Sequence, residues 1–420
     1  MILRKASLEV SCFLATIVES LSMTPAEKPD NRPITIVLHA VFLLSGITTV
    51  MIGQVLPMIM RRFSLNDLEV SYFFPAFFSG SLLGTYFTGW FGRNHKYVHA
   101  TALGCLLMGA GVLMMNAGSQ YVCMSGFCLN GIGVGLTLPS INMLILELNP
   151  LRSAPALNVL NFCWGVGAIL CKPFIDTFSS GNSIFMATVL LAAPLIIATG
   201  LTVLFGRGTE PAPVKDIDAN QPTKTAIWST SFAWVLAFFN FIHVGFESGV
   251  GGWLTTYSER IDYAASVRVL SPTVIFYVFF VVGRGVAPLY FRFLTENRAI
   301  LISLLVILAG MGVTLTADSA IVLSIGAGMS GLGTSSIFPT SVSRFGRVFG
   351  SQAIRRAMPL FISGTLGGIT ITWLIGFFSN RIGDLRSGMY VLAVCIGLLM
   401  ILQIGIGLKT VIRSDSQLSE

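Results

Sequence analysis

Of the 420 residues, 54% are hydrophobic and 11% charged, against roughly 45–50% apolar and about 25% charged in an average soluble domain. That composition excludes a soluble globular protein. The formal net charge of +7 does not call for a nucleic-acid partner, because excess Lys and Arg beside apolar spans orient helices in a bilayer.

Residues 1–33 read as a cytoplasmic tail. Arg4 and Lys5 precede a short apolar run at 12–18, but Glu9 and Glu19 bracket it too closely for a signal peptide, and Met23 is an alternative start. Twelve stretches of about 20 apolar residues then follow, at 34–60, 70–91, 98–116, 122–146, 155–174, 183–205, 230–254, 271–293, 299–315, 320–341, 358–378 and 389–408. Runs such as 391–402 are continuously apolar rather than alternating, so the spans are helices and not barrel strands. The polar stretch 206–225, rich in Pro, Asp, Lys and Thr, reads as a solvated linker.

The expected fold is therefore an all-α integral membrane protein of twelve transmembrane helices in two six-helix halves. A half at 34–205 and a half at 229–410 are joined by a linker at 206–228, with a second cytoplasmic tail at 411–420. An even helix count puts both termini on one side. Loops on that side hold Arg93, Lys96, Arg152, Arg207, Lys215, Lys224, Arg292, Arg298, Arg344 and Arg347 among others, and the opposite side holds Arg61, Arg62, Arg260, Arg268, Arg381 and Arg386. Both termini are expected to be cytoplasmic, in an inner or plasma membrane.

A pattern occurs twice: Gly131-Ile-Gly133 leading to Pro139 in span 4, and Gly331-Leu-Gly333 leading to Pro339 in span 10. Gly46 and Gly53 in span 1 match Gly245 and Gly252 in span 7, and Phe77 to Gly80 in span 2 is paired with Phe280 to Gly283 in span 8. Repeated halves with glycine-interrupted spans point to a transporter whose halves rock about a central site. This architecture resembles the major facilitator superfamily over residues 34–410.

A narrower resemblance lies in Leu157-Asn158, Asn161 to Ala168 and Pro173 of span 5, preceded by Pro139 and Asn142 in span 4. Gly245, Glu247, Gly252-Trp253 and Tyr257 in span 7 agree with it. These are similar to the fucose:proton symporter branch and its sodium-dependent glucose transporter-like relatives, which implies a sugar-like solute. Two departures stand out. The loop between spans 2 and 3 reads Gly89-Trp90-Phe91-Gly92-Arg93-Asn94-His95-Lys96, without the superfamily's acid, and the acids that fucose symporters carry in spans 1 and 4 are missing.

Among 19 acidic residues, Glu247 is the one placed well inside a span, where an ionised side chain costs at least about 2.5 kcal/mol and is functional by default. His243 and Asn240 precede it at helical spacing and share its face. Glu247 and His243 are the expected coupling residues, although His243 alone also suits a packing role. Arg284 is a mid-span cation that must find an acid, a carbonyl or an anion. Glu247 is its obvious partner, but boundaries read from sequence put Glu247 in the outer third of span 7 and Arg284 nearer the cytoplasmic half of span 8, so a direct bridge requires long side chains or a broken helix. Asn158, Asn161 and Trp164 line one side of span 5, with Asn142, Gln54, Thr49, Asn240 and Arg284 as further solute contacts. Lys172, on the same face, is expected to pair with Asp176 and snorkel outward, and Trp253 and Tyr257 suit an interfacial belt.

The cysteines lack metal or disulfide spacing and read as packing residues. No nucleotide-, metal- or nucleophile-binding motif occurs, so no catalytic residue, metal or cofactor is expected. The functional expectation is a monomeric secondary active transporter, proton-coupled with sodium as the alternative ion, whose partners are a small polar solute and the lipid bilayer. The alternatives are a drug or metabolite exporter of the same superfamily and a non-transporting membrane receptor or scaffold.

Overall fold

A computed structural model describes residues 31–149, 153–206, 227–261, 271–349 and 357–418. The expected tails up to residue 30, the alternative start at Met23 and most of the 206–228 linker lie outside the described residues. Among the described residues the chain is helical, with no strand longer than an isolated bridge. Twelve spans follow in order, the first six being Arg32–Phe63, the pair Asp67–Ser71 and Phe73–Gly92, Tyr97–Met114, Gln120–Leu148, Ser153–Phe178 and Phe185–Gly206. The second six are Ser231–Ile261, Pro272–Tyr290, Glu296–Thr316, the pair Ala320–Thr334 and Ile337–Phe349, Met358–Ile382 and Leu385–Leu418. Eleven are long and apolar enough to cross a membrane. The remaining one, span 2, has the length but dilutes its apolar residues with Gly, Ser and Thr.

The duplication is built into the backbone. In span 5 a Cβ on Gly167 would stand 2.0 Å from the Leu43 carbonyl of span 1, and in span 11 a Cβ on Gly367 would stand 1.8 Å from the Phe241 carbonyl of span 7. Only glycine admits so close an approach. Gly367→Val is accordingly expected to cost about 3 kcal/mol, seen as a lower midpoint in denaturant titration of the detergent-solubilised protein; an unchanged midpoint would sink this packing account.

The same contacts correct one register. Gly131 packs on the Phe77 carbonyl and Gly331 on the Phe276 carbonyl, so Phe77 corresponds to Phe276. Gly84 and Gly283 then correspond, against the carbonyls of Ile132 and Leu332. The sequence pairing of Phe77–Gly80 with Phe280–Gly283 is one helical turn out. Phe and Gly recur at one-turn spacing in span 2, as Phe73 and Phe77 and as Gly80 and Gly84, so a short motif aligns at either turn.

Span 7 runs seven residues beyond its expected end, to Ile261. Glu247 therefore lies 14 residues from that end, about 21 Å, and Arg284 lies 12 residues from the same face of span 8, about 18 Å. The two share one depth, contrary to the sequence estimate. A helix end is hard to place where Ser, Glu and Arg continue the helical spacing past the apolar run.

Candidate functional site

Span 10 is interrupted at Ser335 and Ser336, between its two helices. The cause is Pro339, which has no N–H to offer the carbonyl four residues back, that of Ser335. Arg284 supplies the missing donor from span 8, its Nε 3.3 Å from the Ser335 oxygen, and its guanidinium lies over the Phe280 ring at 4.1 Å. Gly283 lets span 8 come this close, because a Cβ there would meet the Ser335 hydroxyl at 2.3 Å. The equivalent break in the first half is handled differently. Pro139 frees the Gly135 carbonyl, and the Thr88 hydroxyl of span 2 donates to it at 3.1 Å.

Losing the arginine should orphan a buried carbonyl, at about 1–3 kcal/mol. Arg284→Gln is expected to lower thermal stability by that amount in the parent protein and by much less in a Pro339→Ala background, where residue 339 regains its N–H. Equal penalties in both backgrounds would contradict the proline account.

Three further groups surround the break. His243 in span 7 is 1% exposed and lies against the Thr334 backbone at the break. Glu247, one turn on, makes no hydrogen bond and no ion pair within 4.0 Å among the described residues, and its charge acts on Arg284. The Tyr277 hydroxyl of span 8 lies over Gly251, one turn beyond Glu247. The expected Asn240–His243–Glu247 stripe thus divides. Asn240 donates to the Leu360 carbonyl of span 11 at 2.8 Å and is held in the packing of the second half.

Span 5 faces this cluster from the first half. Gly165 packs against Val281 of span 8, and Asn161 and Asn158 lie one and two turns below that contact, toward the face carrying the described chain ends. Arg284 lies one turn below it on span 8, so the two helices bring Asn161 and Arg284 to the same level, with Asn158 a turn lower. Both asparagines are exposed, and Asn161 turns its amide back to the Leu157 carbonyl. The Trp164 indole N–H is buried without a partner. Asn142 and Thr49 bond carbonyls of their own helices. Lys172 is paired with Asp176 at 2.5 Å as expected, but it is buried rather than snorkelling.

At the opposite face the halves are joined. An Asn66–Glu69 capping box starts span 2 and sets Asp67 where Arg260 of span 7 grips it with two nitrogens, at 2.5 and 2.9 Å. Ser379 of span 11 also donates to Asp67. Arg61 pairs with Glu259 at 2.7 Å. Deeper in, Gln54 accepts from Thr255, whose hydroxyl meets that of Thr273 at 2.9 Å, and Phe74 packs on Trp253. Gln54 therefore belongs to a seal between halves. Trp253 and Tyr257 are likewise buried, not interfacial, Trp253 donating to the Thr372 carbonyl.

A mid-membrane carboxylate and guanidinium in one of two six-helix repeats, with cross-half pairs among the described residues joining the repeats at one end, is carrier architecture. The Major Facilitator Superfamily pattern matches residues 38–358. The chain belongs to the Major Facilitator Superfamily.

Solved superfamily structures share its fold at low identity. A bacterial homologue of the human lysosomal transporter Spinster, inward-facing and unoccupied, has 14% identity and a TM-score of 0.72, covering 90% of this chain and 97% of that one. The D-xylose-proton symporter gives 15% and 0.70, covering 88% and 96%. The E. coli fucose:proton symporter FucP gives 17% and 0.58, covering 88% and 97%. No curated protein sequence matches.

The superfamily's loop between spans 2 and 3, which lacks its acid here, carries His95 at φ 51°, with Nδ1 3.5 Å from Glu147 of span 4. At the matching place in the second half Glu296 pairs with Arg347, with the acid and its partner on exchanged elements.

Proposed function

We propose that this superfamily member is a monomeric secondary active carrier of a small polar, sugar-like solute, coupled to protons and working by alternating access. It sits in an inner or plasma membrane with both termini cytoplasmic. The halves at 34–205 and 229–410 move about the linker at 206–228.

One observation carries the reading: Glu247 stands at mid-span with no hydrogen bond, beside a guanidinium that is itself held by a broken helix. A carboxylate at that depth costs several kcal/mol unless it has work to do. Proton binding would neutralise it, and the paired loss of charge and gain of solute would let the halves close. His243 serves as the neighbouring proton site. Asn158, Asn161, Trp164 and Arg284 are the proposed solute contacts, with Asn142 nearby, while Gln54 and Asn240 act through helix packing.

With the termini inside, the seal lies outside and the conformation is inward-facing. Purified protein in proteoliposomes should accumulate solute under an imposed pH gradient with an acidic exterior. A sodium gradient doing so instead would change the ion, and absence of flux for sugars, sugar acids and drugs alike would overturn the carrier reading.

A further inference from the structure

The geometry points to a hydroxylated monocarboxylate, a sugar acid, as the solute, with its carboxylate taken by the two terminal nitrogens of Arg284. The inference rests on the carrier reading and names the solute class of that same site.

The first support is the way Arg284 is held. Its Nε is committed to the Ser335 carbonyl and its flat face to the Phe280 ring. Neither Nη makes a hydrogen bond among the described residues. The fork is fixed in orientation, with its outer edge free. A guanidinium so presented matches a carboxylate with two parallel bonds, a match that a hydroxyl cannot reproduce.

The second support is charge balance. A cation at mid-span needs one counter-charge nearby. Glu247 supplies it from the same depth without a direct bridge. When Glu247 takes up a proton, that counter-charge disappears and Arg284 is left uncompensated. A carboxylate on the solute restores the balance. Proton and anion therefore favour each other's binding, and the pair crosses with no net charge. Lys172 cannot take the role, because Asp176 already holds it.

The third support is the surrounding surface. His243 is buried against the Thr334 backbone, and the Trp164 N–H is buried and unpartnered. Asn158 and Asn161 lie on the side of span 5 whose Gly165 packs against Val281, one turn from Arg284 on span 8. Amides, an imidazole and an indole suit the hydroxyl-bearing body of such a solute, while the arginine reads its acid.

The test compares hexuronates with their parent hexoses: D-glucuronate with D-glucose and D-galacturonate with D-galactose, using thermal shift of the purified protein and uptake into proteoliposomes. A hexuronate is expected to shift the melting temperature at a concentration at least about tenfold below that of its parent, following mass-action stabilisation. Its pH-driven uptake should not respond to a membrane potential imposed with valinomycin and potassium. Arg284→Gln should erase the preference. Because that variant can fail to fold, Arg284→Gln in the Pro339→Ala background gives the second reading, with the Ser335 carbonyl repaired and the preference still lost.

Equal or better binding of the neutral hexoses overturns the sugar-acid proposal and leaves the carrier reading standing. So does a preference that persists in the double variant. Failure of both hexuronates to bind while another solute is transported has the same effect. Absence of flux for any solute class removes both.

Discussion

Proteoliposomes carrying Glu247→Gln are expected to hold no solute gradient at all under a pH gradient that drives the parent protein toward about tenfold accumulation per pH unit. Glutamine keeps the shape of the protonated acid and cannot release a proton, so the site is locked in one of its two charge states. Alternating access itself does not require that release when solute returns with the carrier. Exchange of labelled for unlabelled solute at equal pH should therefore persist in the variant. Accumulation like that of the parent would eliminate Glu247 as the coupling residue, and loss of exchange as well would reassign it to solute binding or to the packing of span 7.

The second large effect is expected at the seal. Asp67 is 10% exposed and takes two bonds from Arg260, whose side chain is 40% exposed, and one from Ser379. Truncation of a charged hydrogen-bond partner costs about 1–3 kcal/mol, and solvent screening at the exposed arginine reduces this to roughly 1–2 kcal/mol. Those bonds tie spans 2, 7 and 11 across the two halves, so Asp67→Ala should move the equilibrium between sealed and opened states about 5–30-fold toward opening. Thr256 lies buried beside Arg61 and Glu259 in a recess just inside the seal. A cysteine substituted for Thr256 should react with a membrane-impermeant maleimide faster by that factor when Asp67 is alanine. An unchanged rate in a protein of unchanged melting temperature would show that the pair does not hold the halves together.

The scaffold was legible in the sequence because lipid imposes it. Twenty apolar residues in a row have few alternatives to a spanning helix, and all twelve expected spans correspond to observed helices. The repeated glycines at 131 and 331 likewise marked real backbone contacts. Glu247 and Arg284 could be singled out for the same reason, since charge at that depth is costly wherever it falls.

The seal escaped because its members come from loops and span ends, where charge is ordinary and carries no sign of a partner. Asp67 and Arg260 are 193 positions apart, and only the docking of the halves pairs them. The sequence does contain one clue, the Asn66-x-x-Glu69 capping box, which fixes where span 2 begins and so where Asp67 sits. The partner of Gln54 escapes for a related reason: its polarity is visible, but the Thr255 that donates to it comes from the other half. The partner of Asn240 is hidden because helical spacing gives a shared face yet not the neighbour each residue meets, and span 11 offers the Leu360 carbonyl.

The two proline-freed carbonyls show how a duplicated membrane protein can diverge without being redesigned. Both copies inherited the same unpaired oxygen, at Gly135 and at Ser335. One was answered by a hydroxyl, Thr88, which closes the matter locally. The other was answered by an arginine, which satisfies the oxygen and also leaves a positive charge in the interior that some acid must then balance. A local structural repair in one half thereby set a positive charge at mid-membrane, within reach of the charge of Glu247, where the other half has only a hydroxyl.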